Sequence, residues 1–178
     1  MNLFIFNEFC PAGVYGIETY IRELTATLKN SNINVCVVYL NSDNPQIKSE
    51  QTDDALYLHF PPPIQWSKEL EEQWDLYHRN IVYLLQLHIK DKTNLIFHLN
   101  YNKKGRLAEE LKKVFDCKII LTIHYLDSCL KLTGNLGRFV NILETRHTTS
   151  EDKKFKQLQD TIKNESENFQ TVDHIICL

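Results

Sequence analysis

The feature of this sequence that most constrains its fold is a set of short, nearly continuous apolar runs rich in β-branched residues. Val35 to Leu40 reads VCVVYL, and Cys117 to His124 reads CKIILTIH. Strands without polar alternation are covered on both faces, which is typical of a parallel sheet enclosed by helices. Further strands are predicted at Leu3 to Phe6, Ala55 to Phe60 and Asn94 to Asn100.

Amphipathic helices are predicted between these strands. Apolar residues recur three or four positions apart in Ile17 to Leu28, Trp66 to His88, Lys103 to Phe115 and Glu151 to Phe169. Asn41 to Asp54 is polar and is predicted to be a mobile loop. This order predicts an α/β fold, a Rossmann-like doubly wound parallel sheet of about six strands with helices on both faces.

The last residues, His174 to Leu178 (HIICL), are predicted to form the sixth buried strand. A natural chain seldom stops inside an apolar strand without an exit turn or a polar tail. We therefore expect residues 1–178 to be a single Rossmann-like domain at the N-terminal end of a longer, two-domain protein.

Length and composition exclude several classes of protein. With 178 residues, 43% apolar and 24% charged, the chain has the make-up of one compact domain. Its net charge of -3, with mixed signs, argues against a nucleic-acid partner. The five cysteines show no C-x-x-C spacing, which indicates a reduced, cytoplasmic protein and makes a metal site improbable. No apolar run reaches the ~18 residues of a membrane span, although peripheral membrane contact stays open.

The first candidate site is the glycine-containing loop between the first strand and the first helix. Gly13 and Gly16 lie there, directly ahead of the helix. Unpaired N–H groups and the positive end of a helix dipole favour an anion at such a place. The same two glycines are also compatible with a simple tight turn, and the pattern alone favours neither interpretation.

The other candidates follow the ends of two strands, where ligands bind in doubly wound sheets. His124 can hydrogen-bond a substrate hydroxyl or a diphosphate oxygen, and Asp127 can orient it or bind a hydroxyl itself. His98 and Asn100 are candidates for acceptor or sugar binding. Structural roles compete in every case, since His98 has apolar neighbours and asparagine is common in turns.

Four segments together resemble the N-terminal half of a GT-B glycosyltransferase, most closely the retaining glycosyltransferase family 4. The first is Gly16-Ile17-Glu18 at the start of the helix that carries Tyr20, Ile21 and Leu24. The others are the strand NLIFHLN, the run KIILTIHYLD and the final VDHIICL. Together they extend over essentially the whole chain.

This resemblance implies transfer of a sugar from a nucleotide-diphospho-sugar to an acceptor hydroxyl. Residues 1–178 would shape the acceptor site, and a C-terminal domain outside them would hold most of the donor. By position, Gly16 matches the family's glycine loop near the donor diphosphate, and His124 matches the histidine that reaches the transferred sugar. Tyr15 stands where many members have the first of two adjacent glycines, and Gly13 is the candidate to supply the missing freedom.

The implied partners are a nucleotide-sugar donor and a carbohydrate or lipid-linked acceptor, in cell-surface polysaccharide or glycoconjugate synthesis. No cofactor and no metal are expected, and residues 1–178 alone are expected to be inactive. The basic residues Lys131, Arg138, Arg146 and His147 form either a flap over an anionic or lipid-linked acceptor or a solvated loop. Two alternatives remain: a non-catalytic Rossmann-like module that binds a nucleotide or a protein, and one half of a nucleotide-sugar epimerase.

Overall fold

The computed structural model describes residues 1–8, 16–63, 70–100, 106–132, 135, 137, 140 and 152–178. Its strands are β1 (Asn2–Glu8), β2 (Asn34–Leu40), β3 (Lys48–Gln51), β4 (Leu56–His59), β5 (Leu95–Leu99), β6 (Cys117–Ile123) and β7 (His174–Cys177). Its helices are α1 (Ile17–Leu28), α2 (Leu70–His88), α3 (Arg106–Val114), α4 (Asp127–Leu132) and α5 (Asp152–Gln170).

All seven strands form one sheet, in the order β3-β4-β2-β1-β5-β6-β7. Every neighbouring pair is parallel except β3 and β4, which are antiparallel. The chain adds β2, β3 and β4 on one side of β1, and then β5, β6 and β7 on its other side. The predicted Rossmann-like, doubly wound α/β sheet is therefore confirmed, and its order reverses between β1 and β5.

The polar segment from Asn41 to Asp54, predicted to be a loop, contains the strand β3. Its four side chains, Lys48 to Gln51, are all exposed, and its backbone pairs with β4 at the edge of the sheet. An edge strand that is open to water on both faces needs no apolar residues, and a lysine there discourages further pairing. The sequence therefore carried no apolar pattern for this strand, and the described residues form seven strands where about six were predicted.

Helices cover both faces of the sheet, and each face has its own core. On β1, Phe4 and Phe6 point to the side of α2 and α3, where Phe97 is fully buried in the larger cluster. Leu3 and Ile5 point to the other side and pack with residues of α1. This alternation along a strand buried on both sides explains the continuous apolar runs.

The final strand, β7, lies where it was predicted, but its burial was not predicted correctly. It pairs in parallel with β6, yet its four side chains are exposed, including Ile175 at 43% and Ile176 at 38%. An edge strand has a neighbour on one side only, and no described element covers the outer faces of these two isoleucines. None of the described helices is both long and apolar enough to span a membrane.

Candidate active site

The carboxyl ends of the central strands bring several polar side chains to one edge of the sheet. Asn7 is the second-last residue of β1, Asn100 follows β5 directly, and His124 follows β6 directly. This edge is next to the point between β1 and β5 where the strand order reverses. In doubly wound sheets such a reversal opens a crevice that binds ligands.

His124 is held by Asn100. The ring atom Nε2 of His124 lies 3.0 Å from Oδ1 of Asn100. His124 is half-buried, and this burial lowers its pKa below the ordinary value of 6.5. Asn100 is itself only 4% exposed, and its Nδ2 donates a hydrogen bond to the carbonyl oxygen of Phe6 at 3.1 Å. A chain of two hydrogen bonds thus connects β1, β5 and β6 at this edge.

Helix α1 lies over both candidate histidines through the ring of Tyr20. The ring centroid of Tyr20 is 5.4 Å from that of His124 and 6.0 Å from that of His98, and both contacts are edge-on. His98 is 3% exposed, and its Nε2 lies 2.6 Å from Oγ1 of Thr122. His98 is therefore enclosed beneath α1, whereas His124 is only half-buried at the carboxyl edge of the sheet.

Burial of His98 makes the stability of the domain sensitive to acid. Burial lowers the pKa of His98 from 6.5 to about 4, and the nearby His124 is a second, smaller cause of this shift. Between these two values the unfolded chain binds a proton that the folded chain does not, so the free energy of unfolding falls as the pH decreases. At pH 5 we expect a loss of roughly 2 kcal/mol from this histidine.

Urea denaturation of the chain at pH 7 and at pH 5 measures this loss. We expect the H98L variant to lose less stability than the wild type over the same interval. The exposed His88 provides the matched control, and the H88A variant should keep the wild-type dependence. Equal pH dependence in H98L and the wild type would contradict the role given to His98.

A cavity of about 130 Å³ lies beside His124, between the end of β6 and α5. Asp127 and Glu165 line it together with His124. Glu165 accepts a hydrogen bond from the backbone N–H of Ser128 at 3.1 Å, which fixes the start of α4 against α5. Asp127 is exposed at the first position of α4. Carboxylates and an imidazole around one opening are groups that bind hydroxyls.

Gly16 lies at the N-cap of α1, where the predicted anion site would be. Its φ is -108°, and a Cβ at this position would meet no atom within 4 Å. The backbone does not require glycine here, and the space beside it is open. Gly13 lies outside the described residues. The space beside the start of α1 is therefore open in the direction in which a side chain at position 16 would stand.

A second polar cluster beside Gly16 was not found from the sequence. Glu18 accepts hydrogen bonds from Nδ2 of Asn7 at 3.2 Å and from the hydroxyl of Tyr39 at 2.6 Å. The ring of Tyr39 stacks on His59 with a centroid distance of 4.9 Å. Burial raises the pKa of Tyr39, and the hydrogen bond to Glu18 is a second, smaller cause of this shift. The available clue was that Asn7 and Tyr39 stand near the carboxyl ends of strands, as do the candidates that were recognised.

Among the described residues, no three His, Cys, Asp or Glu side chains come together in a group able to hold a metal ion. The basic positions Arg138, Arg146 and His147 lie outside the described residues. Lys131 is described, and its Nζ donates a hydrogen bond to Oγ1 of Thr161 at 2.9 Å.

No protein-family model matches the sequence, and no curated protein matches it. Among solved structures, the chain is similar to an apo structure of OtsA, with a TM-score of 0.55 and 14% identity. It is also similar to two alpha,alpha-trehalose-phosphate synthases (UDP-forming). One is from Burkholderia xenovorans, in complex with glucose-6-phosphate (TM-score 0.55, 11% identity), and one is from Burkholderia vietnamiensis (TM-score 0.53, 9% identity). Each comparison covers 98% of this chain and 39% of the other, and what it establishes is a shared Rossmann-like fold.

Proposed function

We propose that residues 1–178 are the N-terminal, acceptor-side domain of a two-domain glycosyltransferase of the retaining, family 4-like type. The observation that carries this proposal is the placement of His124, with its adjoining cavity, at the carboxyl edge of the sheet, one strand from the strand-order reversal, in a fold shared with sugar transferases. The chain matches 39% of the length of those proteins, which supports a second domain in the complete enzyme.

In the proposed reaction the bond between the anomeric carbon and the diphosphate oxygen breaks. A bond forms between that carbon and the acceptor oxygen, and the proton of the acceptor hydroxyl passes to the leaving diphosphate. Negative charge develops on the diphosphate, so N–H groups at a helix N-terminus lower the barrier. We propose this role for the start of α1, where the open space beside Gly16 leaves room for a ligand, with further cationic groups supplied by the second domain.

The residues around the cavity would contact the sugar. His124 and Asp127 are proposed to bind its hydroxyls, since both line one opening. The donor is proposed to be a nucleotide-diphospho-sugar, and the acceptor a carbohydrate or a lipid-linked carbohydrate. Because most of the donor would be bound by the second domain, residues 1–178 alone should not turn over. The proposed setting is glycoconjugate synthesis in the cytoplasm, at the inner face of a membrane where the acceptor is lipid-linked.

A screen of donors and acceptors on the complete protein tests this function. Each nucleotide-diphospho-sugar is combined with candidate sugar and lipid-linked acceptors, and release of the nucleoside diphosphate is measured. We expect release that depends on one acceptor class, with the anomeric configuration of the donor kept in the product. Binding without release would favour a non-catalytic module, and conversion of the donor sugar without an acceptor would favour an epimerase.

Substitution of Gly16 by alanine distinguishes an effect on ligand binding from an effect on the stability of the fold. Because a Cβ there meets no atom within 4 Å, we expect G16A to change the free energy of unfolding by less than about 1 kcal/mol. A methyl group in the path of the diphosphate should nevertheless lower transfer by roughly 10- to 100-fold. The control is H88A, because His88 is exposed and lines a pocket with Asn2 at the opposite edge of the sheet. Equal activity in G16A and H88A would remove Gly16 from the donor site.

A further inference from the structure

The orientation of the Asn100 side chain is determined by its neighbour on β1. The carbonyl oxygen of Phe6 accepts hydrogen bonds from Nδ2 of Asn100 at 3.1 Å and from its backbone N–H at 3.2 Å. A carbonyl oxygen can only accept, so it must face the NH₂ end of the amide. The other end of the amide, Oδ1, is then directed to Nε2 of His124 at 3.0 Å.

This orientation determines which ring nitrogen of His124 carries the proton. The Oδ1 atom of an asparagine is an acceptor only, so the 3.0 Å contact requires a proton on Nε2. A neutral imidazole has one N–H, which leaves the lone pair on Nδ1. We propose that Asn100 is a positioning residue that fixes His124 in the Nε2–H tautomer and leaves Nδ1 as the hydrogen-bond acceptor for a ligand.

This assignment restricts the kind of ligand group that His124 can bind. The sequence left open whether the imidazole contacts a hydroxyl or a diphosphate oxygen. A nitrogen lone pair accepts a hydrogen bond from a hydroxyl and repels a phosphate oxygen, so Nδ1 selects a hydroxyl donor. On the proposed function, that donor is a hydroxyl of the transferred sugar. Asn100, which is 4% exposed and bonded at both ends of its amide, acts through His124.

Nitrogen-15 NMR of the ¹⁵N-labelled 178-residue chain, without any ligand, tests the tautomer. In the wild type at pH 7.5 we expect a protonated, pyrrole-type Nε2, an unprotonated, pyridine-type Nδ1, and an Hε2 proton protected from exchange with water. N100D keeps an acceptor and should keep the protected proton, whereas N100L should lose it. T122V is the matched control, because it removes the partner of His98 and leaves the contact of His124 with Asn100 in place.

An unprotonated Nε2 in the wild type, or a protected Hε2 proton in N100L, would overturn the proposal. If N100L does not fold, the wild-type spectrum alone decides, since it needs no substitution. In the complete enzyme, N100L should lower transfer by about tenfold, and N100D should retain more activity than N100L. The NMR result does not depend on catalysis, so a confirmed tautomer without sugar transfer would contradict only the proposed function.

Discussion

Replacement of His124 by alanine in the complete protein is expected to lower sugar transfer by about 10²- to 10³-fold. His124 lies at the opening of the cavity and is fixed by Asn100, so its contact with a reacting sugar would need no reorganisation. Loss of one such preorganised hydrogen bond in a transition state has an effect of this size. The measurement is kcat/KM for transfer, with the donor and acceptor identified by the screen.

The control for this prediction is H88A. His88 is exposed at the end of α2 and lines a pocket with Asn2, at the opposite edge of the sheet. The H88A variant makes the same change of histidine to alanine as H124A, but away from the candidate site. We expect H88A to keep wild-type activity, and H124A to stay folded with a loss of about 1 to 3 kcal/mol, because Oδ1 of the buried Asn100 loses its partner. Unchanged transfer in H124A would exclude His124 from catalysis.

Replacement of Phe97 by alanine is expected to lower the free energy of unfolding by about 3 to 5 kcal/mol. Phe97 is fully buried in β5, with ring centroids 5.5 Å from Phe4, 5.8 Å from Phe6 and 5.3 Å from Phe115. Removal of the ring opens a cavity in the middle of the larger core, between two strands and the end of α3. The surrounding side chains are packed too closely to fill it without strain.

Urea denaturation followed by circular dichroism measures this loss. The matched control is V114A, because Val114 is 41% exposed in α3 and packs far less closely. We expect V114A to cost less than about 1 kcal/mol. A similar, small loss in both variants would show that the core around Phe97 does not carry the stability assigned to it.

The sequence predicted those parts of the fold that depend on local apolar pattern. β2 and β6 were recognised because both of their faces are buried, which leaves continuous apolar runs. β3 was missed because exposed edge residues carry no pattern, and its pairing with β4 depends on a partner outside the segment. The exposure of β7 was missed for the opposite reason, since Ile175 and Ile176 are apolar although no described element covers them.

The candidate site was only partly predictable, because strand register determines its contacts. The sequence placed Asn100 and His124 after neighbouring strands, but it did not show that Nε2 and Oδ1 would come within 3.0 Å. The contact requires the pairing of β5 with β6, in which His98 stands opposite Ile120 and Leu99 opposite Leu121. No local signal in a single sequence encodes such a register.

The cluster around Glu18 shows the same limit. A carboxylate in the first turn of a helix is favourable in any protein, so the position of Glu18 in the sequence does not by itself indicate a polar cluster. Its hydrogen bonds to Asn7 and Tyr39 join α1 to β1 and β2, and they hold the start of the helix beside the candidate diphosphate position. Long-range contacts of this kind became visible only in the structure.

The most direct test of the central claim is mass-spectrometric detection of a ¹³C-labelled sugar on the acceptor, with the wild-type and H124A forms of the complete protein side by side. The proposed function predicts that the wild type adds the labelled sugar to the acceptor hydroxyl, with one nucleoside diphosphate released for each sugar transferred. H124A should form at most about one hundredth as much product at equal enzyme concentration. No labelled product from any donor, or equal product from both forms, would contradict the claim that His124 lies in the active site of a glycosyltransferase.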